Sequence, residues 1–224
     1  MTQSRVLFTK KITNNQKNSI NIALDCYDFI SIEMLDFHFP TTTPASHFVF
    51  TSKNAVDAVL SQYEINTTQS IYAVGKSTKA KLLEYAAFKN IQVPYNQYNA
   101  EGLIELFEQN NSNNFRYFCG KKRLPKLEDY FKTNQKKHQV IEVYDTILSP
   151  PSNLDTKNYQ WLCFCSPSSI ESFLTKYELL PHQDILCIGN TTAKVLNSHK
   201  NRIHVAKKAT IDSMLNYLEE HYKN

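Results

Sequence analysis

Two short sets of residues in this chain have the types and spacing to hold an anion. One is Ser52, Gly75 and Thr78; the other is Ser166, Gly189 and Thr192. The serines and glycines each follow an apolar run, and a segment with helical spacing follows each in turn. A strand that ends in a turn and opens a helix presents backbone N–H groups and a hydroxyl at the helix start, where negative charge is stabilised. Lys53, Lys76 and Lys121 also follow apolar runs, so the expected trap is cationic and poor in acids. Thr78 and Thr192 can bond a ligand carboxylate or cap a helix, and Ser52 and Ser166 share that ambiguity. No histidine or aspartate is tied to either serine by a recognisable motif, which argues against a serine nucleophile.

Other chemistries fit poorly. Gly75-Lys76-Ser77-Thr78 resembles the tail of a phosphate-binding loop, but Ser70 stands where that motif needs its first glycine. The seven histidines are scattered without an HxxxH or HExxH pattern, so metal catalysis is not expected. Cys163 and Cys165 read as small buried apolar residues. The basic stretch from Arg116 to Lys137 reads as a solvated helix face, with only Lys121, Lys122 and Arg123 placed for a ligand.

The elements that must position these residues alternate along the chain. Strands are expected near 5–9, 29–35, 47–51, 70–74, 91–93, 115–119, 139–146, 160–165, 184–188 and 202–205. Helices are expected near 53–63, 77–88, 100–109, 123–132, 168–178, 191–198 and 211–222. Repeated βα alternation predicts parallel sheets covered by helices, as one large sheet or two of about five strands. Only four of 224 residues are glycine, against a usual level of about 7%. No two lie close enough for a dinucleotide-binding fingerprint, and each survivor is expected to serve a tight turn or a close approach to the backbone.

The chain also repeats itself at an offset of 114. Phe50, Ser52, Leu60, Tyr63, Glu64, Gln69, Ile71, Gly75, Thr78 and Leu82 recur as Phe164, Ser166, Leu174, Tyr177, Glu178, Gln183, Ile185, Gly189, Thr192 and Leu196. Shared apolar spacing would not select the serine, glycine and threonine matches, so two similar lobes are expected. Ligands of open α/β sheets sit at the carboxyl ends of the strands, which predicts a cleft between the lobes lined by both sets.

Composition is that of a globular protein, with 42% apolar and 21% charged residues. A net charge of +4 favours an anionic ligand and falls short of most nucleic-acid binders. No run approaches the roughly 18 apolar residues of a membrane helix, and Met1–Arg5 carry no secretory signal pattern. Five cysteines without a CxxC pair point to a reducing, cytoplasmic setting, and monomer is the default state.

Several segments resemble the uroporphyrinogen-III synthase family: Phe50-Thr51-Ser52-Lys53-Asn54-Ala55-Val56, Tyr72 to Thr78, Val143-Tyr144-Asp145-Thr146, Phe164 to Ser168, and Cys187 to Ala193. Their order and spacing carry the resemblance from about residue 47 to 215; the first 40 residues match less well, with Lys10 and Lys11 where the family usually has an arginine. The resemblance implies an α/β fold of two flavodoxin-like lobes with parallel sheets, joined by two extended connecting strands. One lobe would be discontinuous, 1–36 plus 152–224, and the other would span 41–145. The crossing strands would be Asp36–Pro40 and Tyr144–Pro150, flanked by Pro40, Pro44, Pro150 and Pro151.

The resemblance further implies cyclisation of hydroxymethylbilane, a linear tetrapyrrole with eight carboxylates, without metal or organic cofactor. Water leaves, an azafulvene cation forms, and a spiro intermediate recloses with ring D inverted. Tyr144 matches the family's tyrosine and is the implied donor to the departing hydroxyl; otherwise it packs beside a linker. Substrate contacts are expected from Ser52, Lys53, Asn54, Gly75, Lys76, Thr78, Lys121, Ser166, Ser168, Gly189, Thr191 and Thr192. A reading from another class is a non-catalytic two-lobed module that binds a polyanionic, tetrapyrrole-like ligand. No nucleic-acid or membrane partner is expected under either.

Overall fold

The computed structural model describes residues 5–38 and 47–222. Along the chain run β1 (Arg5–Phe8), α1 (Asn14–Asn18), β2 (Leu24–Cys26), β3 (Ile30–Met34), β4 (His47–Phe50), α2 (Lys53–Leu60), β5 (Ser70–Ala73) and α3 (Lys76–Tyr85). Then follow β6 (Ile91–Gln92), α4 (Ala100–Gln109), β7 (Asn114–Gly120), α5 (Lys126–Thr133), β8 (Lys137–Leu148), β9 (Tyr159–Phe164), α6 (Pro167–Leu174), β10 (Asp184–Cys187), α7 (Asn190–Ala193), β11 (Arg202–Val205) and α8 (Ile211–His221). The alternation of short apolar runs with amphipathic segments produces this order.

Two sheets form, in the orders β11-β10-β9-β1-β2 and β3-β8-β7-β4-β5-β6. The chain divides into two compact units: residues up to Ser31 with those from Ile147 onward, and Ile32–Thr146. In each unit the sheet is buried on both faces, as parallel strands require. In the first unit, Val6, Phe8, Trp161, Cys163 and Leu186 pack one face with α8, and Leu7, Leu162, Phe164, Ile185 and Phe173 pack the other. In the second, Phe48, Phe50, Ile71, Ala73 and Phe118 face α2 and Leu82, while Val49, Tyr72, Phe115 and Tyr117 face Phe107 and Phe131. Phe50 stacks on Phe118 with ring centroids 5.1 Å apart. Each fully buried phenylalanine stabilises its unit by about 1.5–3 kcal/mol relative to exposure.

The sequence repeat has a direct structural counterpart. β4 pairs with β5 as Val49 with Tyr72 and Phe50 with Ala73, and β9 pairs with β10 as Cys163 with Leu186 and Phe164 with Cys187. Every pair is displaced by the same 114 residues, so the two βαβ segments share one register. At the strand ends the match continues: Val74 donates to the Phe50 carbonyl, and Ile188 donates to the Phe164 carbonyl, each at 3.0 Å. The repeats diverge after the glycines, where α3 has ten residues and α7 only four before a 3₁₀ turn at Lys194–Leu196.

Three expectations change. Asp36–His38 is not strand, and Phe39, Pro40 and Pro44 lie outside the described residues. Strand β2 and helix α1 carry too little apolar periodicity to be read from sequence. α5 begins at Lys126 rather than 123, because Pro125 takes the cap position. No glycine has a positive φ, so none is required by a left-handed turn.

Candidate functional site

In the second unit the chain leaves β4 through Thr51 and the extended Ser52. The Ser52 hydroxyl accepts a 3.0 Å hydrogen bond from the Ala55 N–H and caps α2. Lys53, exposed, and Asn54, half-buried, occupy the first helical turn. One strand over, β5 runs through Val74 to Gly75, the cap residue of α3, which offers no side chain to the helix. The first backbone N–H groups of α3, from Lys76 to Thr78, therefore point out of the helix end without intrahelical partners.

Tyr144 is positioned by an irregularity between β7 and β8. The register runs one to one as far as Cys119 with Glu142, then steps to Gly120 with Tyr144. Val143 is the extra residue of a bulge, and Val143 and Tyr144 both pack against the core that faces α2. Strict alternation would have put them on opposite faces, so the bulge aims the phenol at the end of β4. Lys121 N–H donates to the Tyr144 carbonyl at 2.9 Å and locks the step.

The ring lies where a side chain on residue 120 would be. A Cβ built on Gly120 falls 2.6 Å from Tyr144 Cζ and 2.9 Å from its hydroxyl oxygen. Gly120 is therefore a glycine for Tyr144, not for the approach of a ligand to its backbone. Burial pushes the Tyr144 phenol pKa up, and the neighbouring Ser52 hydroxyl opposes that only partly. The phenol is neutral near pH 7. Beside it, the Tyr117 hydroxyl lies 3.3 Å from Thr51 Oγ1, and burial pushes its pKa to about 12.

Cations around this end differ in availability. Arg123 is committed to Glu128 and Glu142, each at 2.6 Å, and donates to the Gly120 and Lys121 carbonyls. It pins the turn and is not placed to hold a ligand. Lys121 is 62% exposed, with Asp145 at 3.9 Å, so an acid does sit at this strand end.

The first unit presents the matching set. The Ser166 hydroxyl caps α6 by accepting from Ser169 N–H at 3.1 Å, and Ser169 returns a bond within a capping box. Ser168 is half-buried in the first turn, Gly189 caps α7 without a side-chain bond, Thr191 is exposed and Thr192 is buried. Thr78 and Thr192 occupy equivalent third positions, 2% exposed, and neither is a helix cap. That corrects one expectation: the serines cap the helices, and the threonines are packed inside them.

Sequence reasoning passed over the segment from Val93 to Tyr98. With Lys76 and Lys79 it lines a cavity of about 500 Å³. The signal was Gly102: a Cβ there would fall 2.1 Å from the Gln97 carbonyl and 2.8 Å from Pro94 Cβ. This glycine lets the segment fold back onto the first turn of α4, whose cap is Asn99.

Among the described residues no helix is long and apolar enough to cross a membrane. A family model described as uroporphyrinogen-III synthase HemD matches residues 30–216. A porphyrin biosynthesis protein HemD of Ruminiclostridium josui is 31% identical over 102 residues, 42% of this chain and 20% of that protein. The chain thus matches about a fifth of that relative's length. A solved uroporphyrinogen-III synthetase from Helicobacter pylori superposes with a TM-score of 0.72 at 19% identity, over 97% of this chain and 99% of that one. A mutant uroporphyrinogen III synthase from Thermus thermophilus gives 0.62 at 13% identity, over 97% and 98%. At such identities the likeness speaks for the fold.

Proposed function

The chain belongs to the uroporphyrinogen-III synthase family, and we propose that it is a hydro-lyase that cyclises hydroxymethylbilane to uroporphyrinogen III. The match of the family model over residues 30–216 carries this reading. The placement of Tyr144 supports it.

The reaction must hold a flexible octa-anion in one cyclising geometry and assist a departing hydroxyl, which is chiefly positioning with one proton transfer. Tyr144 gives its phenolic proton to the hydroxymethyl oxygen, the C–O bond breaks, and water leaves an azafulvene cation. A raised pKa keeps that proton in place until an acceptor arrives. The last pyrrole attacks through its substituted carbon to form the spiro intermediate, which fragments and recloses with ring D inverted. The final pyrrole loses a proton as it regains aromaticity, and the phenol is restored. Substrate carboxylates are held by Ser52, Lys53, Asn54, Gly75, Lys76, Thr78 and Lys121 at the strand ends of one unit. Ser166, Ser168, Gly189, Thr191 and Thr192 do the same on the other. The enzyme works as a cytoplasmic monomer and its chemistry calls for no cofactor.

The test is turnover of hydroxymethylbilane with the two uroporphyrinogen isomers resolved. Formation of isomer III above the spontaneous isomer I is expected. Isomer I alone, at the uncatalysed rate, overturns the proposal.

A further inference from the structure

The cavity beside α3 combines aromatic, apolar and cationic residues in its lining. Val93, the buried Pro94, Tyr95, 91% exposed, and Tyr98, 49% exposed, line it. Lys76, Lys79 and Asn96 complete the lining. The two lysines are three apart on one helix and so share a face. Neither has a carboxylate partner among the described residues. Lys81, one turn on, is paired with Asp57 at 3.1 Å and Glu84 at 2.8 Å. The Lys76 ammonium lies 5.9 Å from the centre of the Tyr98 ring, which holds its charge toward the cavity. The volume falls within the ~300–1,000 Å³ range of small-molecule pockets. Two aromatic rings, two ammonium groups without a carboxylate partner among the described residues, and one amide suit a flat ring with short carboxylate arms.

We propose that this cavity is a subsite for one pyrrole ring of the substrate, with its acetate and propionate on Lys76 and Lys79 and its face against Tyr95 and Tyr98. This rests on the synthase reading above. The ring stacks on the tyrosines, and the carboxylates displace water from the lysines without meeting an acid. Because the subsite grips a part of the substrate that does not react, it contributes binding and little to the chemical step.

The experiment compares the wild type with Lys76→Gln/Lys79→Gln, Lys76→Arg/Lys79→Arg and Tyr95→Ala/Tyr98→Ala. All four side chains are exposed, so the variants should fold, which thermal unfolding checks. Turnover gives kcat and KM for hydroxymethylbilane, and titration with uroporphyrin III gives a dissociation constant. Coproporphyrin, which lacks the acetates, and inorganic phosphate are the comparison ligands. The glutamine pair should raise KM and the uroporphyrin dissociation constant about 5–30-fold, leave kcat within about threefold and narrow the preference for uroporphyrin over coproporphyrin. The arginine pair should restore binding. The alanine pair should weaken binding about 2–10-fold. Unchanged KM and uroporphyrin affinity in both double variants overturns the subsite, as does a fall in kcat with KM unchanged. Equal loss of phosphate and uroporphyrin affinity shows a simple anion site and also overturns it. A wild type that makes no isomer III defeats the synthase reading instead, and the uroporphyrin titration still decides the subsite.

Discussion

Replacing Gly120 with alanine should move Tyr144 without touching its chemistry. The added Cβ would lie 2.6, 2.8 and 2.9 Å from Cζ, Cε2 and the hydroxyl oxygen of Tyr144, whereas ordinary contact begins at 3.4 Å. The ring must therefore retreat by about 0.8 Å, the shift from 2.6 to 3.4 Å. It is held by its backbone bond to Lys121 and by the core beneath it, so the displacement falls on the far end of the side chain, the hydroxyl. Overpacking of this kind costs about 1–3 kcal/mol, a drop of several degrees in Tm for a chain of this size. A misplacement near 1 Å can cost about 100-fold in rate. If Tyr144 donates the proton, Gly120→Ala should lower kcat about 10–100-fold while the protein stays folded. Tyr144→Phe, which keeps the ring and removes the proton, should lose about 100-fold or more.

The two changes should not add. With no hydroxyl to misplace, Gly120→Ala in the Tyr144→Phe background should cost little further rate, though its stability cost should persist. The assay is single-turnover cyclisation with both isomers quantified, beside thermal unfolding of all four proteins. Full activity and isomer ratio in Tyr144→Phe would show that the phenol is packing alone. A rate loss from Gly120→Ala that is undiminished in the phenylalanine background would show that the glycine acts through something other than Tyr144.

Ser52→Ala and Ser166→Ala each remove a helix cap and should each cost about 0.5–2 kcal/mol in urea unfolding. Only Ser52 also neighbours the Tyr144 phenol, so only Ser52→Ala should lower kcat, by about 2–10-fold; equal kinetic effects would refute that link. Gly102→Ala drives a Cβ against the Gln97 carbonyl and should destabilise the protein and open the Val93–Tyr98 segment, read by proteolysis. Gly189→Ala meets only Ala209 Cβ at 3.8 Å and should cost less than about 1 kcal/mol, so equal losses in the two would be contrary. Burial raises Cys119, Cys165 and Cys187 from 9.0 to about 12, and Tyr117 from 10.0 to about 12. Each holds its proton more tightly when folded, so its contribution is complete below about pH 9. That contribution is lost as the pH rises toward 12, and urea midpoints should be level from pH 7 to 9 and fall above. A midpoint that rises above pH 9 would reverse the sign.

The α/β class was legible because its signal is periodic. Phe48-Val49-Phe50 and Trp161-Leu162-Cys163-Phe164 are too short and too apolar for anything but strands buried on both faces. The offset of 114 was legible because serine, glycine and threonine recur where apolar spacing does not demand them, and the shared strand register is its physical meaning. The roles within that pattern were less legible. Thr78 and Ser52 are both hydroxyl residues at helix starts, and sequence cannot say which is the cap. The answer depends on the extended backbone that Ser52 and Gly75 adopt. The Val93–Tyr98 segment escaped notice because it has no period at all. Only Gly102, four residues beyond it, betrays the contact.

The aim of Tyr144 was hidden for a deeper reason. Reading a strand from sequence assumes that alternate residues share a face, and on that assumption Val143 and Tyr144 cannot both lie on one core. The bulge breaks the rule at one residue, and it does so where β7 ends in Gly120, which leaves room for the ring. Two features that look independent in the sequence, a rare glycine and a tyrosine 24 positions later, are thus one device. The glycine has no conformational need to be there, since its φ is not positive. Its reason is the space it leaves. Local regularity is given up where a side chain must be turned toward chemistry, so the residue that breaks the pattern is where the site is to be sought. If that is right, the aim rests on Tyr144 standing opposite Gly120, and deleting Val143 restores strict alternation without disturbing that pair, so a folded deletion variant should lose part of the core yet still make isomer III. A folded deletion variant that makes only isomer I would show that the bulge itself, and not the pairing with Gly120, sets the aim.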